Sequence, residues 1–436
     1  MAHLNTPSRF GALRMQAFMG VRMKRQWLIG RMVLVAILML TMSAFVPVQA
    51  QTFTVLHSFP SFDGDGLGPL GYLVQDTAGN LYGTTFEGGA GTGGEGTVFK
   101  IDKSENETVL VNFNSSNGSF PNSGLILDKD GNLYGPAKEG PGGAGVLFRV
   151  SPKGKEKLLY DFQGCLNCKR LRGPQGALSM DSAGNLYGAV YAGGHTGVGC
   201  PPYDCGALFK LDTQGKLHTL YAFSGPDGDS PAGPLTQDSA GNLYGATLYG
   251  GDLACPIAPG QGCGTVYKLD PTGKLTVLYT FTGGPDGGLP GSALVMDKAN
   301  NLYGVAAGGN FNCEGGCGVI FKLTPAGELT VLHTFTAGAD GNYPNDPLAI
   351  DAKGNIYGTT AGEFISNESP FGSVFELTAS GKFIVLHNLN GATDGQTPFS
   401  GPIRDTAGNL YGTAFAGGEG GLGHGTVFKV TPAKTR

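Results

Sequence analysis

The stretch Asp76-Thr-Ala-Gly-Asn-Leu-Tyr-Gly83 returns six more times along the 436-residue chain, ending as Asp405 to Gly412. It reads as strand, tight turn, strand. An Asp opening a turn accepts hydrogen bonds from backbone N–H groups further round it. Gly at the fourth position (Gly79, Gly131, Gly184, Gly241, Gly354 and Gly408) supplies a positive φ. Where that Gly is replaced, Asn300 stands, the residue type that best tolerates the left-handed region after Gly. The competing reading makes Asp76, Asp128, Asp181, Asp238, Asp297, Asp351 and Asp405 a ring of metal-binding or catalytic carboxylates. An acid present in every unit at a turn position serves the turn, so the structural reading is preferred.

The motif tyrosines (Tyr82, Tyr134, Tyr187, Tyr244, Tyr303, Tyr357 and Tyr411) lie 52 to 59 residues apart. A Pro stands seven residues before each Asp: Pro69, Pro121, Pro174, Pro231, Pro290, Pro344 and Pro398. After each motif come a Gly-rich loop, a strand such as Gly264-Thr-Val-Tyr-Lys268, a short turn, and a strand such as Leu275 to Phe281. Four short strands at a period near 50 spell a propeller blade. The expected fold is all-β, a seven-bladed propeller over 51–431. The short, Gly- and Pro-rich strand before each Asp belongs at the crowded axis, and the Val-Leu-His-x-Phe type strand at the rim. The chain starts on a rim strand and stops on a third strand. Phe53 to Phe59 is therefore expected to pair with Gly425 to Val430 and complete the seventh blade.

Glycine, 76 residues, is far above the usual share of about 7%, and the turns account for it. An apolar content of 40% without a three-residue period excludes collagen-like and disordered classes. A net charge of −5 without a basic stripe argues against a nucleic-acid partner. Arg22, Lys24, Arg25 and Arg31 precede the apolar run Met32 to Val46, and Val48-Gln-Ala50 offers small residues for cleavage. Residues 1–50 thus read as a signal peptide, with Met23 an alternative start, and 432–436 as a short tail. The run is short for a membrane span and ends in Pro47.

Eight cysteines in an exported chain read as disulfides. Cys200/Cys205, Cys255/Cys263 and Cys313/Cys317 each share one Gly-rich loop, and the second Cys always precedes the Gly that opens the next strand. Local pairing is the simple reading. Cys165 and Cys168 join Cys200 and Cys205 either in further bridges or in a four-thiolate zinc site, which export disfavours. The rim aromatics (Phe59, Phe113, Phe162, Phe223, Phe281 and Phe335) and those of the third strands (Phe99 through Phe428) read as inter-blade core. His57, His333 and His387 share a position with Tyr160, Tyr221 and Tyr279, and read as strand surface without a paired acid.

At Gly-Asn-Leu-Tyr-Gly and Gly-Thr-Val-Phe-Lys the units resemble the GloVer tandem repeat of exported bacterial "choice-of-anchor" proteins, over residues 53 to 430. The resemblance implies surface or secreted localisation and no established activity. Many such proteins carry a C-terminal sorting segment. Here only Thr431 to Arg436 follow the last strand, so a released, monomeric protein without a membrane anchor is expected, secreted or periplasmic. The turn is also similar to repeats of propellers that act as lactonases or lyases, but their site residues have no matching set here.

Two functions remain. The first is a non-catalytic scaffold for glycan or protein partners. The alternative is a hydrolase or lyase acting on carbohydrate or lactone in the central channel. The inner strands offer Gln75, Gln237, Asp346 and Arg404, scattered over four blades, and no nucleophile elbow, zinc-binding His pair or phosphate loop. No catalytic residue, metal ligand or cofactor is therefore assigned. Calcium at Asp63-Gly-Asp65 and Asp227-Gly-Asp229, with Asp286, Asp340 and Asp394, is weighed and set below ordinary Asp-Gly turns. The longest loops, Gly188 to Gly206 and Gly245 to Gly264, belong to blades three and four. Their Tyr191, His195, Tyr203, Asp204, Tyr249 and Asp252 are the candidate ligand-binding residues, since Tyr joins rigid contact area to a polar handle.

Overall fold

A computed structural model describes residues 51–433 except 61–63, 91–93, 165–170, 195–203, 310–315, 345–346, 363–370 and 419–422. Residues 51–432 form one compact unit. It is a seven-bladed β-propeller, a ring of seven antiparallel sheets. In blade four, Asp229–Gln237, Leu243–Tyr249, Thr265–Leu269 and Leu275–Thr280 follow one another from axis to rim in chain order. Blades one to six repeat that order. The seventh sheet combines Ile403–Arg404, Leu410–Ala414 and Thr426–Thr431 with the N-terminal Thr52–Ser58. The expected pairing is present, in the register Phe53↔Val430 and Val55↔Phe428.

Each motif makes the turn its spacing implies. Asp238 Oδ1 accepts the N–H groups of Ala240 and Asn242, both at 2.9 Å, and Oδ2 accepts Asn242 Nδ2 at 2.7 Å and the Tyr244 hydroxyl at 3.1 Å. Gly241 has φ +82°, and Asn300 takes the same region at +61°. The last Gly of the motif has a different task. A Cβ on Gly188 or Gly304 would stand 2.7 Å from the ring edge of Phe209 or Phe321, so its absence admits the third-strand aromatic.

The blades are joined by two repeated contacts. First, the rim aromatic of one blade packs on the third-strand aromatic of the next. Phe113 meets Phe148 at 4.9 Å, Phe223 meets Tyr267 at 5.2 Å and Phe281 meets Phe321 at 5.2 Å. These rings are almost completely buried, and edge-on pairs at such distances add to the stabilisation from burial alone. Phe59 of the N-terminal segment makes the equivalent contact with Phe99 of blade one at 5.3 Å.

The second contact explains the Pro seven residues before each Asp. Its ring covers the Gly that opens the third strand of the preceding blade. A Cβ on Gly96, Gly145, Gly206, Gly264, Gly318, Gly372 or Gly425 would lie 2.7 Å or less from Cδ of Pro121, Pro174, Pro231, Pro290, Pro344, Pro398 or Pro69. The residue before the Pro is left-handed even where it is bulky: Phe120 (φ +58°), Ser230 (+54°), Leu289 (+57°), Tyr343 (+52°) and Thr397 (+56°). That conformation costs about 1–3 kcal/mol at each position. It aims the N–H across the blade boundary, where Leu289 donates to the Cys263 carbonyl at 2.8 Å and Phe120 to that of Glu95 at 2.7 Å. Ser230 and Tyr343 donate likewise to Cys205 and Cys317. The second Cys of each pair therefore holds the carbonyl that the next blade docks on.

Cys255 and Cys263 are bonded to each other, and Cys205 and Cys317 are also in disulfides. Cys165, Cys168, Cys200 and Cys313 lie outside the described residues.

Candidate functional site

The inner strands meet at the axis with almost no side-chain volume between them. A Cβ on Gly176 would stand 2.7 Å from the Gly233 Cα, and one on Gly233 would stand 2.7 Å from the Ala293 nitrogen. Residues of this ring, including Gly71, Ser123, Gly176, Gly233 and Ser292, line an axial cavity of about 230 Å³. Asn122 Oδ1 and Ser123 Oγ are buried there without a hydrogen-bond partner. Two large side chains, Tyr72 and Phe399, interrupt the narrow wall. Tyr72 lies against Gly124, where a Cβ would come within 2.6 Å of its ring, and burial pushes its phenol pKa well up. Tyr72 also lines a second cavity of about 1030 Å³, among the turns of blades seven, one and two.

That second cavity is rich in ionisable groups, and its motif carboxyls, Asp76 and Asp405, are committed to the turns. Burial alone would raise each motif carboxyl. The Asn side chain, the backbone N–H groups and the Tyr hydroxyl together outweigh it, and Asp76, Asp238 and Asp405 titrate below the usual carboxylate range. The partner phenols move the other way: burial first, then the Asp bond, pushes Tyr82, Tyr244 and Tyr411 up to about 12. A third-strand cation lies over most of these rings, as Lys268 does over Tyr244 at 5.9 Å. Blade six has Glu376 in that place, and Arg404 from blade seven covers Tyr357 instead, at 5.5 Å. Arg404, singled out in the sequence as a polar exception, is thus part of the turn architecture.

The histidines require a correction. They are not surface positions without an acid. His57, His333 and His387 place Nε2 2.9, 3.2 and 2.7 Å from Asp65, Asp340 and Asp394. Tyr221 and Tyr279 reach Asp227 and Asp286 in the same way, at 2.5 and 3.0 Å. These Asp residues, weighed as calcium ligands, instead tie the rim strand to the following loop. Asp286 also accepts the Thr282 N–H at 2.9 Å. Sequence reading missed the pairing because its two halves lie in different kinds of segment; a shared spacing of six to eight residues was the available signal. Burial is the first cause that lowers the His333 pKa, opposed by Asp340. At the junction of blades seven and one a third group joins in: Glu107, which burial, then the Asp65 charge, pushes to about 7.

The candidate ligand residues occupy the other face, where the long loops leave the second strands. Tyr191 is 39% exposed and its ring lies against Gly173, where a side chain would clash. Tyr249 ends its strand packed on the core between blades four and five. Asp204 is buried beside Cys205 with Oδ1 unpartnered, and Asp252 accepts the Ala254 N–H at 2.9 Å. His195 and Tyr203 lie outside the described residues.

Fold and site together define a tandem-repeat propeller in which the repeated polar groups build the blades and the loops carry the differences. The chain belongs to the Gloeobacter/Verrucomicrobia repeat family, which matches residues 44–202, 166–317 and 259–436. The GloVer resemblance is thereby borne out. Among curated proteins nothing matches. Similar solved structures include the extracellular domain of BT3049 from B. thetaiotaomicron, at 13% identity and TM-score 0.52, over 87% of this chain and 41% of that one. The extracellular domain of BT4673 is alike at 10% identity and TM-score 0.51, over 87% and 40%. The Niastella koreensis GH74 enzyme is alike at 16% identity and TM-score 0.52, over 81% and 52%. The chain thus spans about half or less of the length of these proteins, and at such identities the likeness concerns the fold. No helix among the described residues is long and apolar enough to cross a membrane.

Proposed function

We propose that the protein is a non-catalytic binding scaffold that works outside the cytoplasm and holds a glycan or protein partner on its loop-rich face, centred on blades three and four. The observation that carries this reading is Tyr191. It is a large exposed ring at the end of a strand, braced by Gly173 and next to loops that cysteines restrain. A rigid aromatic with a polar tip gives contact area at low entropic cost. The repeated acids and histidines add weight, because their hydrogen bonds serve turns and blade junctions, and no Asp, Glu, His, Lys or Arg is among the described residues that line the axial cavity. The disulfide and the apolar leader support export, as does the likeness to extracellular domains.

The test is a glycan-array and soluble-protein pull-down screen with the oxidised chain, repeated with Tyr191→Ala and Asp252→Ala. Affinity should fall about tenfold or more for Tyr191→Ala while the melting temperature is kept. Unchanged affinity would move the site to another sector. Turnover of a polysaccharide or lactone in a parallel assay would instead favour the hydrolase or lyase reading.

A further inference from the structure

We propose that His57, Asp65 and Glu107 form a binding site for a divalent transition-metal ion at the junction of the N-terminal strand and blade one. Their ligand atoms all lie within 4.8 Å of one another, and no other group of three such ligands meets that spacing among the described residues. His57 belongs to the N-terminal strand, Asp65 to the loop after it, and Glu107 opens the rim strand of blade one. The three come from separate segments that only the folded ring brings together.

The other blade junctions show what is particular here. Four of them pair a rim His or Tyr with a loop Asp (Tyr221 with Asp227, Tyr279 with Asp286, His333 with Asp340, His387 with Asp394), and a residue near the start of the next rim strand packs nearby. At two junctions it is an aromatic stacked on the His: Phe383 on His333 at 3.9 Å, and Phe53 on His387 at 3.8 Å. Leu275 and Leu329 hold the position in blades four and five. Glu107 places a carboxylate there, as Glu156 does in blade two, but Glu156 accepts the Asn117 side chain at 2.8 Å whereas Glu107 Oε1 is buried without a hydrogen-bond partner. An unpaired buried acceptor costs free energy, and a cation shared with Asp65 and His57 would remove that cost.

The donor set indicates the class of ion. One imidazole nitrogen with two carboxylate oxygens is a three-ligand set of the kind zinc accepts, with a fourth position left for water. Calcium and magnesium demand six or more oxygens and do not favour the imidazole. The 2.9 Å between His57 Nε2 and Asp65 Oδ2 is compatible with two ligands on one small ion. With side chains 20% and 14% exposed, the pair is reachable from solvent. Bound there, the ion would tie the N-terminal strand to blade one.

The molecule supplies its own control substitutions. Tyr221 and Tyr279 fill the position of His57 and still bond the loop Asp, so His57→Tyr keeps the junction and removes the nitrogen ligand. Glu107→Leu copies Leu275 and Leu329. Zn2+ is titrated calorimetrically into the oxidised full chain at neutral pH, with metal content measured after dialysis. The expected result is one equivalent bound, lost in both variants and kept in His333→Tyr. Saturating Zn2+ should also raise Tm by about 2 to 5 °C in the wild type and not in either variant. Absence of binding, or its retention by His57→Tyr or Glu107→Leu, overturns the proposal. Neither outcome bears on partner binding at blades three and four.

Discussion

Replacing Phe59 by Ala asks whether the N-terminal strand is a structural member of the ring or a dispensable edge. Phe59 is 1% exposed, and its ring meets Phe99 at 5.3 Å within a cluster that also holds Leu73, Leu81, Val427 and Tyr411. Its N–H donates to the Gly425 carbonyl at 3.0 Å, so the backbone is held beside the ring. Truncating a buried Phe costs about 3–5 kcal/mol, through lost transfer free energy and the cavity left behind. Phe281 provides the reference: it is fully buried and makes the same kind of contact with Phe321 at 5.2 Å, in a blade built from consecutive chain. Phe59→Ala and Phe281→Ala should therefore shift the urea midpoint by similar amounts, with the slope unchanged, when unfolding is followed by far-UV circular dichroism. A cost below about 1 kcal/mol for Phe59→Ala, beside 3–5 for Phe281→Ala, would show that the strand contributes no docking energy. The seventh blade would then be complete without it.

Four further outcomes can be checked on the same protein. The motif carboxyls titrate lower in the folded chain than unfolded, so their stabilisation is full above about pH 3.9 and is lost as pH falls through the folded values; urea midpoints should drop in that acid window. Their tyrosine partners have folded pKa values raised to about 12, so this contribution is present below pH 10 and lost as pH rises through 12, seen as late tyrosinate absorbance. Gly264→Ala should cost about 3 kcal/mol, because φ is +89° and the new Cβ would stand 2.6 Å from Pro290, whereas Gly273→Ala, at φ +87° with nothing nearer than 3.9 Å, should cost only about 1 kcal/mol; equal costs would remove the blade-joint argument. Loss of the Cys255–Cys263 bridge, which spans 8 residues, should cost about 2.5 kcal/mol on chain-entropy grounds, measured with Cys255→Ala/Cys263→Ala, and no change would show the loop to be held without it.

The parts of this fold that a reader of the sequence can recover are those written in local chemistry. Asp238, Gly241 and Tyr244 fall within one turn, so their spacing alone dictates the hydrogen bonds that form. The same holds for the alternating aromatics of the rim and third strands, where period two implies burial. What escaped is what joins distant segments. Nothing local announces that Pro290 will cover Gly264, or that Leu289 will take a left-handed φ to reach a carbonyl in the preceding blade. His387 and Asp394 sit seven residues apart, but the intervening loop has no regular period to reveal their approach. Tyr72 stands among small residues that, in sequence, imply a uniformly narrow axis. Of the proposed ligand residues that the structure describes, Tyr191 and Asp252 are exposed as their assigned role requires, while Asp204 is buried and Tyr249 packs on the core.

The proline joint between blades carries a consequence for how such a chain can grow. Each unit of sequence holds a Pro that covers the unit before it and a Gly that receives the unit after it, as Pro231 and Gly264 do within blade four. A unit copied in tandem arrives with both halves of the joint already matched to its neighbours, whatever its loops contain. Gene duplication can thus add a blade without first evolving an interface. Loops such as those of blades three and four are then free to diverge, because the joint that holds their blades in place does not depend on their length.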